Sequence, residues 1–179
     1  MALAPTPQAL AVRLRPATAR DAPLLAAWRG EASVRRHQPL QEASLSDLRA
    51  DLDRQRPGDL YRRRGDRFQW IVVVDDAPSG WITLAVTSWE QGIAEVGYAL
   101  TTSAQGRGVM TRALAALVDD LFSRTAIERL EARCSTGNAA SARVLEKVGF
   151  EREGLLRGYF RLGGRRVDNW LYAVLRDDR

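Results

Sequence analysis

The chain is nearly devoid of the residues that build covalent or metal frameworks. Of its 179 residues, Cys134 is the only cysteine and His37 the only histidine. A single thiol excludes an internal disulfide, and one Cys with one His leaves no pair for a Cys/His zinc site. No metal is expected, and a reducing cytoplasm is the default compartment. No apolar run approaches the roughly 20 residues that span a bilayer, so no membrane role is expected. Met1 to Gln8 lacks the basic end and continuous apolar stretch of a secretory signal. Residues 1–10 read as a disordered leader, and residues 11–179 suit one domain of ordinary size.

Lysine is equally scarce. Lys147 is the only one, so 26 of the 27 basic residues are arginine, against 22 acidic residues and a formal charge of +5. A basic chain invites a nucleic-acid reading. The arginines are scattered from Arg13 to Arg179, however, which resembles codon bias rather than a selected patch. Only Arg54 to Arg67 is crowded, and Asp53, Asp59 and Asp66 are interleaved there. Nucleic acid is therefore disfavoured as the principal partner.

What is present is alternating secondary structure. Val12 and Leu14 against Arg13 and Arg15 give the period of a half-buried strand. Thr18 reads as the N-cap of a helix carrying Leu24, Leu25 and Trp28. Ser44 through Arg56 repeats the helical period, and Pro57-Gly58 is expected to end it. Phe68 to Val74 and Trp81 to Trp89 form a hairpin around residues 75–80, and Ile93 to Leu100 adds a third strand. Gln105 to Phe122 is the strongest helix. Ile127 to Cys134 is a strand and Asn138 to Val148 a helix, with Asn138 a candidate N-cap. Two further strands turn at Leu162-Gly163-Gly164. Helices on both faces of a mixed α/β sheet are the natural solution.

The most informative segment is Gln105-Gly106-Arg107-Gly108-Val109-Met110-Thr111, between a strand and a long helix. Two glycines let a ligand approach the backbone, and a helix start offers amides without intrahelical partners. Together they make an anion site suited to phosphate or pyrophosphate. A Walker loop would need Gly-Lys-Ser/Thr, and the dinucleotide fingerprint would need a glycine at Thr111. Neither is met. A glycine-rich turn before a core helix is the plain alternative.

Gln105-x-x-Gly108-x-Met110 resembles the pyrophosphate loop of the GNAT acetyltransferases, Gln/Arg-x-x-Gly-x-Gly/Ala, with Met110 departing at the last position. Residues 94–100 (Ala-Glu-Val-Gly-Tyr-Ala-Leu) resemble the family's fourth strand. Asn138 to Phe150 resembles its Asn-x-x-Ser/Ala-x-x-x-Leu/Tyr-x-x-x-Gly-Phe helix. Gly154-Leu155-Leu156-Arg157, then Gly164 and Asp168, resembles the C-terminal hairpin of the RimJ/RimL-type subgroup. The resemblance implies one GNAT-like domain. Its central sheet would be mostly antiparallel, with six to seven strands splayed between the fourth and fifth and helices on both faces. It further implies acetyl-CoA as co-substrate, with pyrophosphate on Gln105, Gly106, Arg107, Gly108, Val109, Met110 and Thr111. The pantetheine arm would lie along Ala99, Leu100 and Thr102, with Asn138 in reach. Met110 in place of a small residue would narrow the approach.

Acetyl transfer to an amine needs a proton acceptor and a group that protonates the leaving thiolate. Glu95, on a strand face with Ile93, Gly97 and Ala99, is the candidate base, and the alternative is a strand glutamate paired with an arginine. Leu145 stands where many family members carry a tyrosine acid. Ser141, matching the serine of the RimJ/RimL-type subgroup, is the candidate acid, and the alternative is a helix-capping hydroxyl. Cys134 reads as a buried inert thiol, His37 as an exposed loop residue, and Asp168 as a structural partner of Arg157, with orienting an amine as the alternative. The five tryptophans read as too dispersed for an aromatic platform. The resemblance implies direct attack of a peptide or protein N-terminal amine on the thioester, by a monomer or a homodimer. The alternatives are a small-molecule amine as acceptor, or a non-catalytic CoA-binding module.

Overall fold

The computed structural model describes residues 10–40 and 42–179. The leader expected at residues 1–10 therefore lies outside the described residues except for Leu10, which packs against the core. In chain order the elements begin with β1 (Val12–Pro16), α1 (Ala22–Gly30), α2 (Ala32–Arg35), α3 (Leu45–Arg54) and α4 (Pro57–Leu60). They continue with β2 (Arg67–Val74), β3 (Ala77–Ser88), β4 (Ile93–Leu100), α5 (Val109–Arg124) and β5 (Arg129–Ser135). α6 (Ala139–Lys147), β6 (Glu151–Leu162) and β7 (Arg165–Leu175) complete the fold.

Among the described residues, seven strands join one sheet in the order β1-β2-β3-β4-β5-β7-β6. Every neighbouring pair is antiparallel except β4 and β5, which run parallel. A parallel pair needs a long crossover, and α5 supplies it. One face carries Val72, Ile82, Leu84, Val96 and Leu130 against Leu114, Leu117 and Leu121 of α5 and Leu145 of α6. The other face carries Ile71, Val73, Trp81 and Ala99 against Leu25, Trp28, Leu48 and Leu52 of α1 and α3. The architecture is the splayed, mostly antiparallel sheet with helices on both faces that the resemblance implies. Among the described residues, no helix is long and apolar enough to cross a membrane.

Several local details differ from expectation. Pro57 does not end helical structure but starts the single turn of α4, where the first position needs no amide donor, and Leu60 is buried beneath it. The β2–β3 connection uses only Asp75 and Asp76, both at positive φ. Aspartate tolerates that region, and a register shift between Val72 and Val73 carries Pro78 within the strand. Thr18 caps a short turn over Ala19–Asp21, ahead of α1. Trp28 and Trp81 do meet, stacked with ring centroids 6.3 Å apart. The crowded arginines disperse: Arg54 pairs with Asp51, Arg56 binds the Asp53 carbonyl, and Arg63 binds that of Trp89.

Candidate functional site

The loop between β4 and α5 takes its shape from two glycines. Gly106 and Gly108 sit at φ +73° and +71°, where a Cβ is disfavoured. A Cβ built on either would meet nothing within 4 Å. The glycines are therefore required by backbone conformation and not by protein packing, and the space above them is open. Gly108 is also the N-cap of α5. The expected helix over 105–122 accordingly starts four residues later, leaving Gln105 to Gly108 as the loop. The first amides of α5 have no partner inside the helix, and they follow directly on this opening.

The loop is tied down on its β4 side. The Gln105 side-chain amide donates to the Leu100 carbonyl at 3.1 Å, closing it onto the end of β4. Glu31 accepts from the backbone and hydroxyl of Thr102 at 3.2 and 3.0 Å, tying it to the start of α2. Arg107 is exposed. Val109 and Met110 point the other way into the core, with Met110 only 4% exposed. The methionine therefore leaves the approach to the loop open, contrary to the narrowing expected from its size.

Beside the loop the sheet comes apart. β4 and β5 pair only through Ile93–Arg129, Ala94–Leu130 and Glu95–Glu131. Beyond Glu95 the strands diverge, and β5 continues on β7 alone. Glu95 occupies the last paired position, at the floor of the gap. Its carboxylate is paired with Arg133, which also lies 3.5 Å from Glu131. Arg129 joins Glu131 at 2.9 Å and grips Glu153 through two bonds of 2.8 and 2.5 Å. That grip holds the Glu153 carboxyl below its ordinary range. The arginine-paired reading of Glu95 is thus the arrangement present. It also orients the carboxylate at the gap, and the Arg133 guanidinium lies over the Tyr159 ring.

Strand alternation puts Tyr98 on the opposite face from Glu95. Its hydroxyl lies 2.9 Å from Ser141 Oγ and 3.2 Å from the Ser141 carbonyl. Burial pushes the phenol well above its ordinary pKa, with the Ser141 contact acting the other way, so Tyr98 stays protonated. Asn138, not Ser141, caps α6: its Oδ1 accepts from the Ser141 amide at 3.1 Å. The Ser141 hydroxyl is therefore free of the capping role that was its alternative. Cys134 is buried alongside, its thiol directed at the Asn138 carbonyl at 3.4 Å and its pKa raised by burial.

A short segment crosses the mouth of the gap. Gln38 Nε2 donates to the Tyr98 carbonyl on β4 at 2.7 Å, while His37 Nδ1 lies 3.3 Å from the buried Ser135 hydroxyl ending β5. His37 is therefore half-buried, not the exposed loop residue expected. Burial, then the charge of Arg36, lowers its pKa and so favours the neutral ring. Asp168 is structural as expected, but its partner is the Gly158 amide at 2.7 Å, not Arg157. Among the described residues, no group of three His, Cys, Asp or Glu side chains is placed to hold a metal. Sequence reasoning missed Tyr98, Gln38 and Arg133. Tyr98 alternates with Val96 and Leu100 and so reads as core.

Residues 11–151 match the model of the acetyltransferase (GNAT) domain, and the chain belongs to that family. It is 32% identical over 113 residues to the uncharacterized N-acetyltransferase p20 of Bacillus licheniformis, covering 63% of this chain and 64% of that protein. It thus spans less than two thirds of that relative's length. It is 28% identical to the ribosomal-protein-serine acetyltransferase of Escherichia coli strain K12, over 67% of each chain. Among solved structures, Mycobacterium smegmatis RimJ in complex with CoA-disulfide superposes with a TM-score of 0.79 at 27% identity, covering 93% of this chain and 83% of that one.

Proposed function

We propose that this protein is an acetyl-CoA-dependent N-acetyltransferase whose acceptor is the N-terminal amine of a protein or peptide. The observation that carries the reading is the glycine loop, open above Gly106 and Gly108, set beside a sheet gap with Glu95 on one face and Ser141 on the other. The loop amides from Gly106 to Thr111 and Arg107 would take the pyrophosphate. Backbone groups of β4 and the following turn, from Ala99 to Thr102, would take the pantetheine arm. A peptide acceptor is supported by the name of the Escherichia coli relative and by the likeness to RimJ.

In the proposed reaction the amine nitrogen bonds to the acetyl carbon and the carbon–sulfur bond breaks, with no covalent enzyme intermediate. Glu95 accepts the amine proton, directly or through one water. Ser141 gives its hydroxyl proton to the departing thiolate and regains one from solvent, to which Glu95 releases the proton it took, while the Tyr98 phenol keeps its own proton and donates a hydrogen bond to Ser141 Oγ. The two groups address one thioester from opposite faces, which only the gap allows. The test is acetyl-CoA turnover against peptide and small-amine panels, read as free thiol. Turnover confined to small amines would replace the acceptor. CoA binding without thiol release from any amine would leave a CoA-binding module, the reading that Leu145 at the tyrosine position favours.

A further inference from the structure

Outside the gap, on the far side of the 37–38 crossing, lies an open groove of about 470 Å³, within the range of ligand-binding clefts. One wall is the segment after α2, with Arg35, Arg36, Gln38 and Leu40, and the other is the tip of the β6–β7 hairpin, with Arg161. Three of these side chains are cationic. Among the described residues, Arg36 and Arg161 have no carboxylate within ion-pair distance, and Arg35 has only Glu42 at 4.0 Å. Arg161 is held in place by a 3.2 Å bond to the Gly164 carbonyl of the hairpin turn. Gln38 connects the groove to the reaction centre, because it lines the one and donates to the Tyr98 carbonyl in the other.

We infer that this groove is the acceptor subsite and that it selects N-termini followed, within the next few residues, by aspartate or glutamate. The inference rests on the N-terminal acetyltransferase reading above. A peptide whose amine reaches Glu95 at the gap floor must leave past Gln38. An extended chain advances about 3.3 Å per residue, so its next few side chains enter the groove. Guanidinium groups in a concave site bind carboxylates through charge-assisted, often paired, hydrogen bonds. A basic following sequence would meet repulsion from the same groups. Compact small amines would gain nothing from the groove. An RNA phosphate offers the same charge, but nothing in the groove's position beside the gap calls for it.

The experiment uses the full chain with acetyl-CoA and three peptides that share a serine N-terminus and differ only at the next four positions, which are acidic, amide or basic. Thiol release should give kcat/KM for the acidic peptide about ten-fold or more above the amide peptide, with the basic peptide lowest. The advantage should shrink as salt rises. Arg36→Glu with Arg161→Glu should reverse the order while CoA affinity is kept. Milder Arg→Gln exchanges serve if the reversal does not fold, and they should level the three peptides. Binding of an N-acetylated acidic peptide, followed by fluorescence anisotropy, is an arm that needs no turnover. Equal kcat/KM for the three peptides in an active enzyme overturns the groove and leaves the acetyltransferase reading intact. Arginine-dependent binding of the acidic peptide with no acetylation of any peptide does the reverse. Displacement of that peptide by a short RNA that binds more tightly would overturn the peptide assignment.

Discussion

Asn138 and Ser141 share the first turn of α6, and the structure separates their roles sharply enough to measure. Asn138 Oδ1 accepts from the Ser141 amide. Asn138→Ala removes that cap and should cost about 0.5–2 kcal/mol. For a domain of this size the shift is about 1–8 °C in Tm, at about 2–4 °C per kcal/mol. Ser141→Ala keeps the amide that the cap uses. It loses one hydroxyl contact with Tyr98, at about 0.5–1.5 kcal/mol, and regains part of that from alanine's helix propensity. The Tyr98 phenol is not stranded, since the Ser141 carbonyl is still in reach. Ser141→Ala should therefore melt close to wild type.

Its kinetics should not stay close to wild type. Loss of a general acid lowers the chemical step by about 10²–10⁴-fold, and acetyl-CoA binding should barely change, because the hydrogen bond strengthens only as charge grows on sulfur. Differential scanning calorimetry and single-turnover thiol release on both variants give the comparison. Tyr98→Phe extends it: the rate should fall, by less than in Ser141→Ala, and the double variant should be no slower than Ser141→Ala alone. If Ser141→Ala melts like Asn138→Ala and turns over at the wild-type rate, Ser141 is structural and the thiolate finds its proton elsewhere.

Three further outcomes follow from the same geometry. Gly108→Val places a branched side chain at φ +71° in open space. It should cost about 1–2 kcal/mol in backbone strain and lower CoA affinity at least about ten-fold by calorimetry; unchanged affinity in the folded variant removes the loop from the CoA site. Glu95→Gln should slow turnover by about 10²-fold with recovery as pH rises through the amine's own value of about 8, while Arg133 keeps Glu131 as a partner; a wild-type profile means that another group takes the proton. Buried Asp21 accepts two bonds from Arg15 at 2.8 and 2.6 Å and one from the Thr18 amide, which depress its carboxyl pKa. Its contribution is therefore full above the unfolded value of about 3.9 and is lost as pH falls through the folded one. Asp21→Asn should cost about 2–3 kcal/mol at neutral pH and flatten the acid limb of stability, and parallel wild-type and variant curves below about pH 4 would refute the linkage.

The fold was readable because its signals are local. The alternation of β1, the 3.6-residue stripe of α5 and the Asn138 cap each depend on neighbours within one element. Ends were read less well where two local signals competed. Pro57 marks a stop after α3 as well as it marks the first position of α4. Residues 75–80 carry every mark of a long loop, yet two aspartates at positive φ suffice, and the sheet recruits Pro78 through a register shift. Leu156 to Phe160 likewise hides an irregularity, where Gly158 at φ +57° hands its amide to Asp168.

The site was legible only as far as composition marks it. Glycines before a helix, a lone strand carboxylate and a serine in a helix's first turn can be picked out one by one. The residues that join them cannot, because they meet across the chain: Tyr98 reaches Ser141 over 43 positions, Gln38 reaches Tyr98 over 60, and His37 reaches Ser135 over 98. Periodicity assigns each to a face but names no neighbour. It also places Glu95 and Tyr98 on opposite faces of β4, which in a continuous sheet would keep a carboxylate and a hydroxyl pair from ever sharing a ligand. Three paired residues and then none between β4 and β5 remove that obstacle. The gap opens at the residue after Glu95, on the edge of the strand that carries both groups. The chemistry proposed here depends on where the sheet stops pairing as much as on any side chain within it.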